Sequence, residues 1–242
     1  MSAPLLPLTP RESAALAAAT TKAVAAWRPR QDTATLPRVP EAVLTELVRL
    51  MRAEHEPGET APRAGVARRR VRWRAAATGA FGPVGLVPTE VVGFVEQVRA
   101  AVDQAGRLDE PRSDAQLAGD VLVAWELLDD PAAAEEITTG HSGRSLLDEL
   151  VARGGDLVRR QVPERWTPWT TLRLLWRLRH LPGIRQRFTA SALRSRGLRA
   201  IPVVGAVPSA WGANREMKAF QRRLAIVHRD VAARGVAVAA PR

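Results

Sequence analysis

Apolar side chains recur every three or four residues along most of this chain, which is the spacing of helices that bury one face. The clearest runs follow Pro40, Pro88, Ser113 and Thr167, and a last one extends from about Ser209 to Arg234. No alternating run of apolar and polar residues between turn signals predicts a strand. We therefore predict an all-α protein: a single helical domain of about seven to nine helices over residues 1–242, with flexible tails at 1–10 and 236–242.

Short signals mark the ends of these predicted helices. In a capping box, a hydroxyl and the side chain three residues later bond each other's backbone amides, and such boxes are predicted at Thr9–Glu12 and Ser113–Gln116. Ser145–Asp148 begins a further predicted helix. Thr167-Pro168 begins a further helix. Predicted stops or breaks lie at Gly106, Asp129-Asp130-Pro131, Gly154-Gly155, Pro182-Gly183 and Gly235.

Two apolar segments contain glycine and proline at a density that helix interiors do not tolerate. They are Thr78–Pro88, with Gly79, Gly82 and Gly85, and Ile201–Gly212, with Pro202, Gly205 and Gly212, followed by Asn214. Each leads into a helical run and offers only about 12 to 15 apolar residues, too few to span a bilayer. Two interpretations stay open: tight packing in the core of a soluble fold, or shallow insertion into a membrane.

The positive charge of the chain is concentrated in its C-terminal third. Of the net charge of +11, residues 1–158 contribute −4, whereas residues 159–199 contain 11 arginines and only one acid, Glu164. A smaller cluster extends from Arg63 to Arg74. This asymmetry predicts a phosphate-rich partner. The candidate contact residues are Arg68, Arg69, Arg70, Arg173, Arg177, Arg179, Arg185, Arg187, Arg194 and Arg196.

Aromatic residues alternate with the arginines of the stretch 159–199, and three interpretations of that stretch stay open. A basic amphipathic helix with tryptophans at headgroup depth would meet an anionic membrane surface or a membrane-protein partner. A basic face with stacking aromatics would meet nucleic acid, the less favoured alternative. The third interpretation is a solvated arginine face whose aromatic residues belong to the core.

The sequence predicts no catalytic residue, no cofactor and no metal site. The glycines of Thr78–Pro88 lack the spacing and the surrounding strands of a dinucleotide-binding fold. Gly140–Gly143 lacks the last glycine of a nucleophile elbow, since Arg144 stands at that position, and a capped helix start is the favoured interpretation. The chain has no cysteine, and its four histidines form no closely spaced pair of ligands.

The two glycine-containing segments also carry a family resemblance. The block from Ala76 to Pro88, followed by a helix with Val98-Arg99, resembles the central block of the EcsC-like proteins. The block from Ile201 to Asn214, with its following helix, is similar to the C-terminal block of the same family.

The resemblance implies a bacterial, predominantly helical protein without established catalytic residues. Because the founding member is encoded with an ABC transporter, it also implies action at or near the cytoplasmic membrane. We therefore expect a non-enzymatic protein, cytoplasmic or peripheral at the inner face of the cell membrane, whose basic C-terminal third contacts anionic lipid or a protein partner.

Overall fold

A computed structural model describes residues 10–27, 36–54, 86–108, 111–181 and 206–239. Every regular element in these ranges is an α-helix, so the protein is all-α as predicted. The helices of the described ranges are α1 (Pro10–Trp27), α2 (Val39–Ala53), α3 (Leu86–Ala105), α4 (Asp114–Ala124), α5 (Pro131–Thr139), α6 (Leu146–Gly154), α7 (Asp156–Arg159), α8 (Pro168–Leu178) and α9 (Ala206–Ala239).

Helices α2 and α3 form the centre of the structure. Helix α2 packs against α1, α3, α4, α5, α6 and α8, and α3 additionally contacts α4, α8 and α9. The apolar stripe predicted for α2 is buried, except that Leu50 is only partly covered. Three aromatic rings join α3, the end of α4 and α9: the Phe94 and Trp125 centroids lie 4.1 Å apart, and those of Trp125 and Phe220 lie 6.3 Å apart.

The capping box predicted at Ser113 and the helix start predicted at Ser145 are confirmed. Ser113 and Gln116 bond each other's backbone amides at the start of α4, and Ser145 and Asp148 do so at the start of α6. Thr167 begins α8 and forms the same box with Thr170, whose hydroxyl accepts the Thr167 amide at 2.8 Å. These contacts satisfy amides that a helix start leaves without intrahelical partners. The predicted cap at Thr9 and the stop at Pro182-Gly183 lie outside the described residues.

Helix α4 ends earlier than its apolar pattern predicts. The pattern extends to Leu128, but the helix stops at Ala124 and Glu126 has a φ of 61°. The Leu127 amide bonds the Leu122 carbonyl at 3.1 Å and the Glu126 amide bonds the Val123 carbonyl at 2.8 Å. This pair of bonds is a Schellman motif with glutamate at the left-handed position that glycine usually occupies. The restart predicted at Asp129-Asp130-Pro131 is confirmed, since Asp130 caps α5.

Other helix ends agree with the sequence except at the C-terminal helix. The break predicted at Gly154-Gly155 is confirmed, because Gly155 separates α6 from α7. The stop predicted at Gly235 is wrong: α9 continues through it to Ala239, and residues 236–239 are helical rather than part of a tail. A glycine costs a helix only about 1 kcal/mol relative to alanine, which the alanines around it offset. None of the helices within the described residues combines the length and the hydrophobicity needed to cross a bilayer.

Close contact between α4 and α5 yields a prediction for Gly119. A Cβ at this position would lie 3.1 Å from the Ala134 carbonyl carbon and oxygen, which are backbone atoms that cannot swing aside. Gly119→Ala is therefore expected to lower the free energy of unfolding by about 1–3 kcal/mol, despite the better helix propensity of alanine.

Gly93 on α3 provides the matched control, since a Cβ there meets nothing within 4 Å. Gly93→Ala is expected to raise the free energy of unfolding by about 0.5–1 kcal/mol. Urea denaturation of both variants and the wild type measures the two effects. Equal effects of the two substitutions would show that the helices do not meet at Gly119.

Candidate functional site

Three of the ten arginines predicted to bind an anionic surface lie in the described residues. Arg173 and Arg177 are exposed on α8, and Arg179 follows its last turn. The other seven lie outside the described residues: Arg68, Arg69, Arg70, Arg185, Arg187, Arg194 and Arg196.

Arg173 and Arg177 belong to a larger exposed surface that includes α7. Arg177 lies one turn after Arg173 and its Nη1 donates to Gln161 Oε1 at 3.5 Å, which brings the segment after α7 beside α8. Helical hydrogen bonds continue past α7, so Leu157, Arg160 and Gln161 share one side of this segment. We call this the arginine surface; its exposed arginines are Arg160, Arg173 and Arg177, and Arg159 and Arg165 are exposed elsewhere in the same segment.

The arginine surface is basic and carries one apolar side chain. Within the described part of the chain, no ion pair neutralises these five arginines, and the exposed acids nearby are Asp156 and Glu164. Leu157, on the same side as Arg160, is 51% exposed. The surface can therefore attract anions and also offers an aliphatic contact.

Arg179 does not belong to this surface, which corrects the prediction. Its side chain is buried, Nη1 donates to Gln97 Oε1 at 2.8 Å, and the guanidinium lies 5.5 Å from the centroid of the Trp176 ring. Position 179 continues the buried side of α8, since it follows Leu172 and Leu175 at helical spacing. The helical period, and not the charge of the segment, therefore determines that this arginine is buried.

The structure describes only the helical parts of the glycine- and proline-containing segments. Helices α3 and α9 begin at Leu86 and Ala206, inside Thr78–Pro88 and Ile201–Gly212, which confirms that each segment leads into a helix. Gly212 and Asn214 lie half-buried on α9. Gly79, Gly82, Gly85, Pro202 and Gly205 lie outside the described residues.

A groove between α1, α2 and the end of α5 was not predicted from the sequence. Its volume is about 730 Å³. We call it the alanine groove, because its apolar lining is mostly methyl groups: Ala15, Ala18, Ala19, Ala23, Ala26, Ala42 and Ile137. Basic side chains of Lys22, Arg38 and Arg49 also border it. Alanines on α1 predict a helix from the sequence, but only the packing of three helices shows that they line a cavity.

Two polar side chains of α2 beside the alanine groove have buried oxygens that lack partners. Glu41 is only 4% exposed; its Oε1 accepts the Leu146 amide at 2.5 Å. Glu41 Oε2 and Thr45 Oγ1 have no hydrogen-bond partner among the described residues. Both residues border the groove, one helical turn apart.

Burial raises the pKa of Glu41 to about 7. The Leu146 amide and Arg38 oppose this rise, whereas Asp148 adds to it. Lys22, Glu46 and Arg49 are the other charged groups around the groove, and Arg49 pairs with Glu46 at 2.5 Å. Glu41 therefore changes its charge near neutral pH at a buried position beside the groove.

Other buried charged groups are paired within the core. Arg99 donates to Glu96 at 2.6 Å and to Glu54 at 2.9 Å, and although burial alone lowers the pKa of Arg99, these two carboxylates raise it above its ordinary value. Arg112 forms a two-pronged pair with Asp120 at 3.0 and 3.1 Å. These arrangements are typical of structural ion pairs rather than of catalysis.

The histidines do not assemble a site in the described residues. His228 is buried with Nε2 3.5 Å from Asp120 Oδ2, too far for a strong hydrogen bond. His141 is exposed beside Thr139, and His180 lies against Trp176. Ser142 precedes α6 without capping it, since Ser145 is the cap. Among the residues that the structure describes, no three His, Asp or Glu side chains come together to hold a metal ion.

Comparison with known proteins found no matching family model, no matching curated protein and no matching solved structure.

The raised pKa of Glu41 yields a prediction for the dependence of stability on pH. The folded protein retains a proton that the unfolded chain releases between pH 4.5 and about 7, so Glu41 lowers stability as the pH rises through this window. Glu41→Gln removes the charge and keeps an oxygen for the Leu146 amide. Relative to wild type, its free energy of unfolding is expected to rise by up to about 3 kcal/mol between pH 4.5 and pH 8.

Urea denaturation at the two pH values measures this difference. Burial and a hydrogen bond to Glu12 raise the pKa of Glu54 as well, so the stability of the wild type changes with pH for a second reason. The variant is therefore compared with the wild type at each pH. Glu136→Gln, at an exposed position of α5, controls for the loss of a carboxylate. A Glu41→Gln variant whose relative stability is the same at both pH values would contradict the raised pKa.

Proposed function

We propose that this chain is a non-enzymatic helical protein, of the EcsC-like type that its glycine-containing segments resemble, which binds an anionic membrane surface at the cytoplasmic face. The observation that carries the proposal is the arginine surface, where Arg160, Arg173 and Arg177 are exposed and unneutralised and Leu157 is exposed on the same side as Arg160. The membrane would be held by attraction between arginines and lipid phosphates, without a spanning segment.

The number of arginines is sufficient for reversible binding. A basic residue near an anionic bilayer contributes about 1 kcal/mol, and the arginine surface has three arginines, with Arg159 and Arg165 exposed in the same segment against two acids. Arginine also donates several hydrogen bonds to phosphate oxygens in a fixed planar geometry. Leu157 would add a small apolar contribution if its exposed part entered the headgroup region.

Nucleic acid is the less favoured partner because the aromatic side chains are already engaged. Trp166 and Trp169 pack against the core, so they are not free to stack on bases. Trp176 contacts His180, with ring centroids 4.6 Å apart, and lies beneath the Arg179 guanidinium. An exposed leucine among arginines also suits a lipid headgroup region better than a phosphate backbone.

Reversing two charges on the arginine surface tests the proposal. Arg173→Glu/Arg177→Glu is expected to weaken partitioning into phosphatidylglycerol-containing vesicles by at least about 30-fold, because two contributions of about 1 kcal/mol are lost and repulsion is added. Co-sedimentation with vesicles of phosphatidylglycerol and phosphatidylcholine, and with pure phosphatidylcholine vesicles, measures the effect at low and high salt.

A second double variant controls for net charge. Arg11→Glu/Arg144→Glu changes the charge equally at exposed positions at the start of α1 and before α6. It is expected to retain most of the binding. Binding that is equal for anionic and neutral vesicles, or absent from both, would exclude the electrostatic membrane model. Salt-sensitive binding of DNA or RNA without vesicle binding would favour the nucleic-acid alternative.

A further inference from the structure

We propose that the exposed face of α9 is a second contact with an anionic bilayer, separate from the arginine surface. This inference rests on the proposed function in one respect, since it takes the same kind of partner. The two faces belong to helices with different neighbours: α9 packs against α3 and α4, whereas α8 packs against α1, α2 and α3. Substitutions can therefore alter each face independently of the other.

The exposed face of α9 is a row of mostly basic side chains. At about 100° per residue, the row covers an arc of only about 80° around the helix axis. The buried side of the helix, which includes Met217, Phe220 and Leu224, lies opposite. We call this face the α9 row; its exposed members are Arg215, Lys218, Arg222, Ile226 and Arg229.

The four cations of the α9 row are available to an anionic partner. Among the described residues, none of the four forms an ion pair. Arg229 donates Nε to the Ala225 carbonyl of its own helix at 3.2 Å, which leaves its charge uncompensated. Asp230 is the one acid among the exposed side chains described on α9. From Arg215 to Arg229 the row extends about 21 Å, at 1.5 Å per residue, as a straight line of positive charge.

The composition of the α9 row favours lipid over nucleic acid. Ile226 is 49% exposed and lies one helical turn from both Arg222 and Arg229. An aliphatic side chain gains free energy by leaving water at the boundary of headgroups and acyl chains, whereas a sugar-phosphate backbone offers it no such environment. None of the described exposed side chains of α9 is aromatic or an amide, so none would stack on a base or read its edge.

Helix α9 would lie along the bilayer surface without entering it. Its apolar side is buried against α3 and α4, so the α9 row is the side that faces outward. The guanidinium and ammonium groups would bind lipid phosphates. Each basic residue near the surface raises partitioning into an anionic bilayer about fivefold, so a row of four is enough for measurable binding.

Charge reversal on α9 tests the inference in the Arg173→Glu/Arg177→Glu background, where the arginine surface is disabled. Adding Arg222→Glu/Arg229→Glu to that background is expected to weaken binding to vesicles of phosphatidylglycerol and phosphatidylcholine by a further factor of at least about 25, because two cations are lost and repulsion is added. Co-sedimentation at low salt over a series of lipid concentrations measures the binding. Far-ultraviolet circular dichroism checks that each variant is folded.

The matched control adds Arg11→Glu/Arg144→Glu to the same background. These positions are exposed and lie outside α9, and the change in net charge is identical. The control is expected to bind at least about tenfold more tightly than the α9 variant, because it retains all four cations of the α9 row. Mobility shifts of a double-stranded DNA at low salt, measured with the same variants, test the other phosphate-rich partner.

Three outcomes would overturn the inference. They are equal vesicle binding by the α9 variant and the charge control, no measurable vesicle binding by the Arg173→Glu/Arg177→Glu background at low salt, and loss of DNA binding in the α9 variant while its vesicle binding is unchanged. The last outcome would assign the α9 row to nucleic acid.

The same measurements separate the two proposals. Weaker vesicle binding after Arg222→Glu/Arg229→Glu, with no effect of Arg173→Glu/Arg177→Glu on the wild type, would exclude the arginine surface and retain the α9 row. The converse result would retain the arginine surface and exclude the α9 row.

Discussion

The burial of charged side chains on α3 is the constraint on which the described structure depends. This helix packs against α2, α4, α8 and α9, and those neighbours must supply partners for the charges that it brings into the core. Arg99 reaches Glu54 at the end of α2, while Gln97 accepts hydrogen bonds from Trp125 and Arg179 through one oxygen. Because an unpaired buried charge costs several kcal/mol, these contacts set the relative positions of the helices as well as stabilising them.

Arginine therefore has two different uses in this protein. In the core, Arg99, Arg112 and Arg179 are buried and bonded to specific oxygens or lie over an aromatic ring. On the arginine surface, Arg173 and Arg177 project into solvent on the opposite side of α8 from the buried leucines. Because a helix repeats every 3.6 residues, α8 directs Arg173 and Arg177 to solvent, while Arg179 after its last turn is buried. The net charge of a segment is therefore larger than the charge that it exposes to a partner.

Features set by neighbouring residues could be predicted from the sequence, and features set by distant contacts could not. The capping box at Ser113, the helix start at Ser145 and the break at Gly154-Gly155 need only local hydrogen bonds and backbone preferences. The end of α4 was missed because Glu126, not glycine, takes the left-handed conformation there, and Arg223 from α9 pairs with it at 3.0 Å. The alanine groove was missed because small side chains predict a helix equally well whether its surface is packed or open.

The contact between Arg223 and the end of α4 also bears on how the chain folds. Arg223 donates to the Ala124 carbonyl across 99 residues of sequence, whereas α4 and α5 meet across a single short turn. Contacts within that helical pair can form early, but α9 must close a long loop before it covers Phe94 and Trp125, which makes its docking the slower event. Until α9 docks, Trp125 lacks the ring contact with Phe220, so slow docking would leave apolar surface open to aggregation during refolding.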